Sequence, residues 1–187
     1  MKLIIGLGNP GEEYINTRHN VGFAAIDLIT AKAGTIFSFE KKFNADVAKA
    51  EFNGSQAILA KPRTFVNKTG DAVNKLRAFY KVNTEDVVLI HDDLDLDFGS
   101  FKISFAKESG GHNGVQSVID HLGTNQFWRV RIGVANRKLQ TARKQDTLEA
   151  KKEAVGDFVL TPFSKTEQKE LGGIIKEALE KLAESLR

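Results

Sequence analysis

Cysteine is absent from the 187 residues, which excludes a disulfide framework, a thiolate nucleophile and a zinc-thiolate cluster. A reducing compartment fits that absence. Long apolar runs are missing as well. Lys2 is followed by only a short apolar run before Asn9, Pro10, Glu12 and Glu13, too short for the core of a signal peptide or for a bilayer span. A cytoplasmic protein with no membrane contact is therefore expected. Proline is scarce, at three residues, and neither an internal repeat nor a Pro-rich or Gly/Ser-rich linker divides the chain. With 41% hydrophobic residues, one domain spanning 1–187 around one sizeable core is the expectation.

A strong overall charge is also lacking, since the formal net charge is +3. Its distribution is uneven. Residues 136–152 hold Arg137, Lys138, Arg143, Lys144, Lys151 and Lys152 against Asp146 and Glu149, a local +4 that leaves about −1 for the remainder. A basic loop or lid over 136–155 on a near-neutral body suits contact with a polyanion, because neutralised phosphates release counterions. A solvated surface loop is the simpler reading of the same run.

Short β-rich runs alternate with helical stretches, which predicts an α/β domain whose mixed, largely parallel central sheet is flanked by helices. Lys2 to Leu7 reads as a buried strand, Gly8 to His19 as a functional loop, and Val21 to Ala33 as a helix. Phe43 to Phe52 and Ser55 to Lys61 form a hairpin around Asn53-Gly54, a pair that supplies the positive φ angles of a tight turn. A helix follows from about Asp71 to Tyr80. Val87 to Ile90 reads as a central strand whose carboxyl end delivers His91, Asp92 and Asp93, where open α/β sheets place their chemistry. Phe101 to Phe105 and Val130 to Val134 are further strands, separated by a helix from about Gly114 to Leu122. The tail from Lys165 to Leu186 is helical.

Gly6-Leu7-Gly8-Asn9-Pro10-Gly11 matches the dinucleotide-binding glycine string letter for letter. Its context does not match. Pro10 interrupts the loop, polar residues continue to Asn20, and Asp27, the nearest acid for a ribose, falls inside a helix. A loop that places Asn9 beside a reaction centre is the better reading, with a structural Gly-Pro turn as the alternative. His19, at the end of this loop, has the residue type for general-base work at neutral pH, and such a base needs a partner for its other nitrogen. His91-Asp92-Asp93 offers that partner in Asp92.

The acidic run Asp92, Asp93, Asp95 and Asp97 invites a metal reading. A calcium loop would need Gly at 98 and Glu at 104, where the chain has Phe98 and Ser104. A magnesium cluster stays open, although no phosphate-binding glycine-lysine loop accompanies it. A metal-independent Asp92 is favoured, with Asp93, Asp95 and Asp97 supporting turns or facing solvent. Asn67 and Asn113 sit in two further loops, and an amide can bind a peptide-like group or a water without adding charge. Gly110-Gly111 allows close backbone approach, and the following helix is expected to direct free amides at developing negative charge. His112 and His121 read as helix-start and surface residues, and His91 as support for the strand end.

In this order, Gly6 to Gly11 with Tyr14, Thr17 to Gly22, Lys61 to Gly70, His91 to Leu96 with Gly99, Gly110 to Gly114 and Phe158 to Phe163 resemble the bacterial peptidyl-tRNA hydrolase family over nearly the whole chain. The resemblance implies a monomer that needs no metal or other cofactor and hydrolyses the ester joining a peptide to the terminal ribose of tRNA. It implies His19 as the base, Asp92 as its orienting carboxylate, and Asn9, Tyr14, Phe65, Asn67 and Asn113 as substrate-binding residues. It places Arg131 at a tRNA phosphate, with Ser104 where a basic companion is usual and Lys102 or Lys107 as compensation. Arg143 and Lys144 in the basic segment are auxiliary phosphate contacts on this reading. Two rivals remain: a nicotinamide-dependent oxidoreductase, supported by the glycine string alone, and a non-enzymatic RNA-binding module, against which His19 and Asp92 speak.

Overall fold

In the computed structural model the described residues are 1–186. They form, in chain order, β1 (Lys2–Gly6), α1 (Val21–Ala33), β2 (Ser38–Glu40), β3 (Ala45–Phe52), β4 (Ser55–Pro62), α2 (Thr69–Phe79) and β5 (Val87–Asp97). After these come β6 (Phe101–Phe105), α3 (Asn113–Leu122), β7 (Trp128–Ala135), α4 (Arg137–Ala142), α5 (Leu148–Val159) and α6 (Lys165–Ser185). The strands make one sheet in the order β2-β3-β4-β1-β5-β7-β6. Its centre, β4-β1-β5-β7, is parallel, and antiparallel pairings close both flanks. No helix among the described residues is long and apolar enough to cross a membrane.

Period-two alternation sends neighbouring strand residues to opposite faces, and both faces are covered. Ile4, Val88 and Ile90 pack with Ile26 and Ile29 of α1, Leu139 of α4, Phe158 of α5 and Leu182 of α6. Leu3, Ile5 and Leu89 pack with Val73 and Leu76 of α2 and Val115 and Val118 of α3. The Asn53-Gly54 turn has φ of 52° and 74°, so the expected hairpin forms with Phe52 opposite Ser55. The edge strand β2 escaped the sequence pattern because it is largely exposed and has no buried face to impose alternation.

Two expectations are corrected. The central strand does not stop at Ile90: β5 continues to Asp97 because β7 runs beside it, pairing His91 with Arg131, Asp92 with Ile132 and Asp93 with Gly133. Its other neighbour, β1, ends opposite Ile90. His91 to Asp93 thus lie within a strand, but where the sheet opens into a crevice. Likewise 136–155 is not a loop. It contains all of α4, capped by the Asn136 side chain, and much of α5, capped by that of Thr147.

The glycine string serves helix packing. A Cβ on Gly6 would lie 2.3 Å from the Gly22 carbonyl oxygen, and one on Gly22 would lie 2.2 Å from the Ile90 oxygen, so α1 rests directly on β1 and β5. Gly22→Ala is expected to lower unfolding stability by about 2 kcal/mol or more, the scale of core overpacking, with the loss read from the urea midpoint. An unchanged midpoint would mean that α1 sits less tightly on the sheet than this geometry requires.

Candidate active site

The loop after β1 is closed by asparagine. The Asn20 side chain accepts from the Asn9 amide N–H and donates to the Asn9 carbonyl, both at 2.9 Å, joining the loop's two ends. Asn9 Oδ1 in turn accepts from the Val66 amide at 3.0 Å. A Cβ on Gly114 would meet Val66 at 2.5 Å, so the loops bearing Asn67 and Asn113 adjoin there. The structure therefore gathers the segments of all three predicted asparagines. Asn67 and Asn113 are exposed, Tyr14 is half-buried, and Phe65 is 53% exposed.

His19 lies in a 3-10 turn, Arg18–Asn20, just before α1. Its Nδ1 is 2.8 Å from Asp92 Oδ1, and the Asp92 side chain is only 2% exposed. Burial alone would lower the His19 pKa, but the charge and hydrogen bond of Asp92 outweigh it and hold the pKa above the ordinary 6.5. Burial would raise that of Asp92, yet His19 and His112 hold it well below the usual carboxylate range. A buried carboxylate on one imidazole nitrogen stabilises the imidazolium that a general base becomes.

Sequence reasoning missed His112. It does start α3, as expected, but it is no surface residue: Nε2 lies 3.0 Å from Asp92 Oδ1, with the side chain 11% exposed. Its Nδ1 accepts from the Gly114 and Val115 amides. These α3 amides are therefore not free for a developing oxyanion, contrary to the sequence expectation. His91 is fully buried, its Nδ1 donates to the Asp92 carbonyl at 2.7 Å, and burial pushes its pKa well below the ordinary value. Only the place of His112 directly after Gly110-Gly111 and beside Asn113 could have hinted at the cluster.

Arg18, also missed, is 3% exposed and makes a two-pronged bond to Glu167 at 3.1 and 2.8 Å. Its guanidinium lies 4.9 Å from the ring centres of both Phe158 and Phe163. Glu167 also accepts from the Ser164 amide and from Asn136 Nδ2. Main-chain bonds from Arg18 to Thr161 and from Phe163 to Asn16 complete this clamp on the histidine loop.

Lys102, Lys107 and Arg131 are brought together, and Arg129 joins them, around a cleft of about 320 Å³ that Ser104 also lines. Arg131 Nε is bonded to Asp93 at 2.6 Å. Arg143 stands apart from this cleft, tied to Asp95 at 2.8 Å and to the Leu94 carbonyl, and the exposed Lys144 does not line it either. Asp93 and Asp95 are thus ion-paired, rather than supporting turns alone or converging on a cation. Among the described residues, the group whose ligand atoms lie within 4.8 Å of one another is His19, Asp92 and His112, and there both histidines already bond the carboxylate oxygen.

Residues 3–187 match the family model described as peptidyl-tRNA hydrolase. Similar curated proteins include a peptidyl-tRNA hydrolase of Mycobacterium sp. (strain KMS), 42% identical over 94% of this chain and 85% of that protein. Another, from Aquifex aeolicus (strain VF5), is 42% identical over 96% and 86%. The crystal structure of peptidyl-tRNA hydrolase from Acinetobacter baumannii superposes with a TM-score of 0.84 at 33% identity, covering 97% of this chain and 86% of that one.

The Arg18 clamp has a measurable pH signature. Burial alone would raise the Glu167 pKa, but Arg18, Ser164 and Asn136 bring it from 4.5 down to about 2. A depressed carboxylate pKa adds stability that is present above pH 4.5 and is lost as pH falls toward 2. Glu167→Gln is expected to cost roughly 3 kcal/mol at neutral pH by leaving Arg18 unpaired. The gap to wild type should narrow across that acid window in urea titrations, and a gap independent of pH would place the ion pair outside the stability of the fold.

Proposed function

The chain belongs to the peptidyl-tRNA hydrolase family, and from that premise we propose that His19, oriented by Asp92, is the general base that activates water for ester hydrolysis. The reaction is hydrolysis of peptidyl-tRNA. The observation that carries the assignment of roles is the 2.8 Å contact between His19 Nδ1 and the buried Asp92 carboxylate. With Nδ1–H donated to Asp92, Nε2 keeps its lone pair and takes a proton from water as the water attacks the ester carbonyl. Asp92 offsets the positive charge arising on His19. The Asn113 side chain, at the first residue of α3, holds the water or the tetrahedral oxyanion.

Asn9, Asn67, Tyr14 and Phe65 receive the peptide and the ester end. The Asn67 and Asn113 side chains have no hydrogen-bond partner among the described residues, which leaves both amides for the substrate. Amides bind a peptide main chain irrespective of its sequence and offer no charge to an ammonium. An N-blocked substrate is accepted for that reason, whereas the amino group of an aminoacyl-tRNA must be desolvated without a carboxylate partner.

Lys102, Lys107, Arg129 and Arg131 contact a phosphate of the tRNA acceptor end. Arg143 and Lys144, directly after α4, add an auxiliary contact from the segment 136–155, which acts as a lid. Arg143, already paired with Asp95, contributes less than Lys144. The enzyme works as a monomer in the cytoplasm, where its substrate is found.

His19→Ala should reduce release of blocked peptide from peptidyl-tRNA by about 10²- to 10⁴-fold, with tRNA binding retained, and Asp92→Asn should be of similar severity. A wild-type protein that binds tRNA without turnover would make this a binding module instead. Turnover should persist with chelator, and loss on chelation would point to an ion at His19, Asp92 and His112. Because His19 must be neutral to act, kcat/KM should fall as pH drops through its raised pKa, so the acidic limb should lie above pH 6.5. A limb well below that value would separate catalysis from this histidine. Unblocked aminoacyl-tRNA should be cleaved far more slowly than its N-acetylated form, and equal rates would overturn the account of selectivity.

A further inference from the structure

His112 is held by both of its ring nitrogens. Nδ1 accepts from the main-chain N–H of Gly114 at 3.1 Å and of Val115 at 3.3 Å, and an acceptor nitrogen carries no proton. The proton of the neutral ring therefore resides on Nε2, which faces Asp92 Oδ1 at 3.0 Å. His19 Nδ1 reaches the same oxygen at 2.8 Å. An ionised carboxylate only accepts, so both imidazoles donate to it.

We propose that His112 is a positioning residue for hydrolysis: the first amides of α3 lock its proton on Nε2, and that proton holds Asp92 as a correctly aimed, partly shared acceptor for the catalytic His19. The inference rests on the reading of His19 as the base. It differs from a second acid-base role, because neither nitrogen of His112 is left for substrate.

The constraint begins in the backbone. Amide N–H groups at a helix start can only donate, so packing of α3 dictates which tautomer His112 adopts. A neutral donor suits the task better than a cation would, since it steadies Asp92 without cancelling the negative charge that the His19 imidazolium needs. The titratable groups around His112 are Asp92, His19 with ring centres 5.3 Å apart, and His91 at 4.6 Å edge to face. His91 donates its Nδ1 proton to the Asp92 carbonyl, and burial keeps it uncharged. Arg129 of β7 is a permanent cation that also bears on His91, but its guanidinium bonds the Glu108 carbonyl and not His112 or Asp92.

Two donors on one oxygen share its basicity. Removing the His112 donor leaves Asp92 to grip the His19 proton harder, which raises the His19 pKa and moves the acidic limb of the rate profile upward. His112→Asn isolates this effect, because asparagine is a strong helix N-cap that can still receive the α3 amides but ends short of Asp92. With N-acetylated aminoacyl-tRNA as substrate, the acidic limb of kcat/KM should shift up by roughly one pH unit, the size of one differential hydrogen bond. Near pH 6.5, kcat should then fall about tenfold, while KM stays within about twofold. In parallel, ¹⁵N spectra of the wild-type His112 ring should show a bare Nδ1 and a protonated Nε2. A folded His112→Asn with an unmoved acidic limb, or a wild-type His112 protonated on Nδ1, would overturn the proposal. If His19→Ala kept full turnover, the base assignment itself would fail, an outcome distinct from an unmoved limb in an enzyme that still depends on His19.

Discussion

Everything at the reaction centre answers to one buried negative charge. Asp92 is almost fully enclosed, and an ionised carboxylate there is tolerable only if hydrogen-bond donors replace the water it has lost. Those donors come from the turn before α1 and from the residue that caps α3, segments 93 residues apart in sequence when measured from His19 to His112. Both must therefore converge on β5. They can do so because β1 ends opposite Ile90 while β5 continues beside β7, leaving Asp92 on an ordered strand with one flank open.

The same constraint explains the stretch from Thr17 to Asn20, where each residue meets a different part of the molecule. Thr17 bridges to Pro162, Arg18 reaches Glu167, His19 meets Asp92, and Asn20 closes onto Asn9. A 3-10 turn has three residues per turn, so successive side chains fan out by a third of a revolution. His19 is thereby anchored from both sides along the chain. Arg18 on one side is buried between two phenylalanine rings, and Asn20 on the other seals the asparagine loop. The carboxy-terminal region, through Glu167, is thus part of the scaffold that holds His19.

Charge is divided between the two faces of β5. Strand alternation turns Asp93 away from the side of Asp92, toward Arg131 on the neighbouring strand, whose backbone pairs with His91. Arg131 shares its cleft with Lys102, Lys107 and Arg129, so this cationic cleft is tied to the sheet one residue from the buried Asp92 carboxylate. The cations of the cleft are thereby kept on the face of β5 opposite Asp92.

The central strands, the Asn53-Gly54 hairpin and helix α1 were legible in the residues, because local pattern and turn chemistry dictate them, whereas the contact of His19 with Asp92 was expected only from the family resemblance. Exposed β2 left no pattern, and β5 outran its apolar run because a neighbouring strand, not its own sequence, supplies the hydrogen bonds that extend it. The helices within 136–159 were hidden by charge, although Asn136 and Thr147 stand at their starts as caps. His112 and Arg18 were unreadable for a common reason. A histidine beside glycines and an arginine in a polar loop resemble solvent-facing residues until long-range packing buries them. By itself the sequence determined the chemical groups and the local elements that carry them. Only the tertiary structure decided which buried charges meet, because a carboxylate's partners are set by the crossing of distant segments at one open strand.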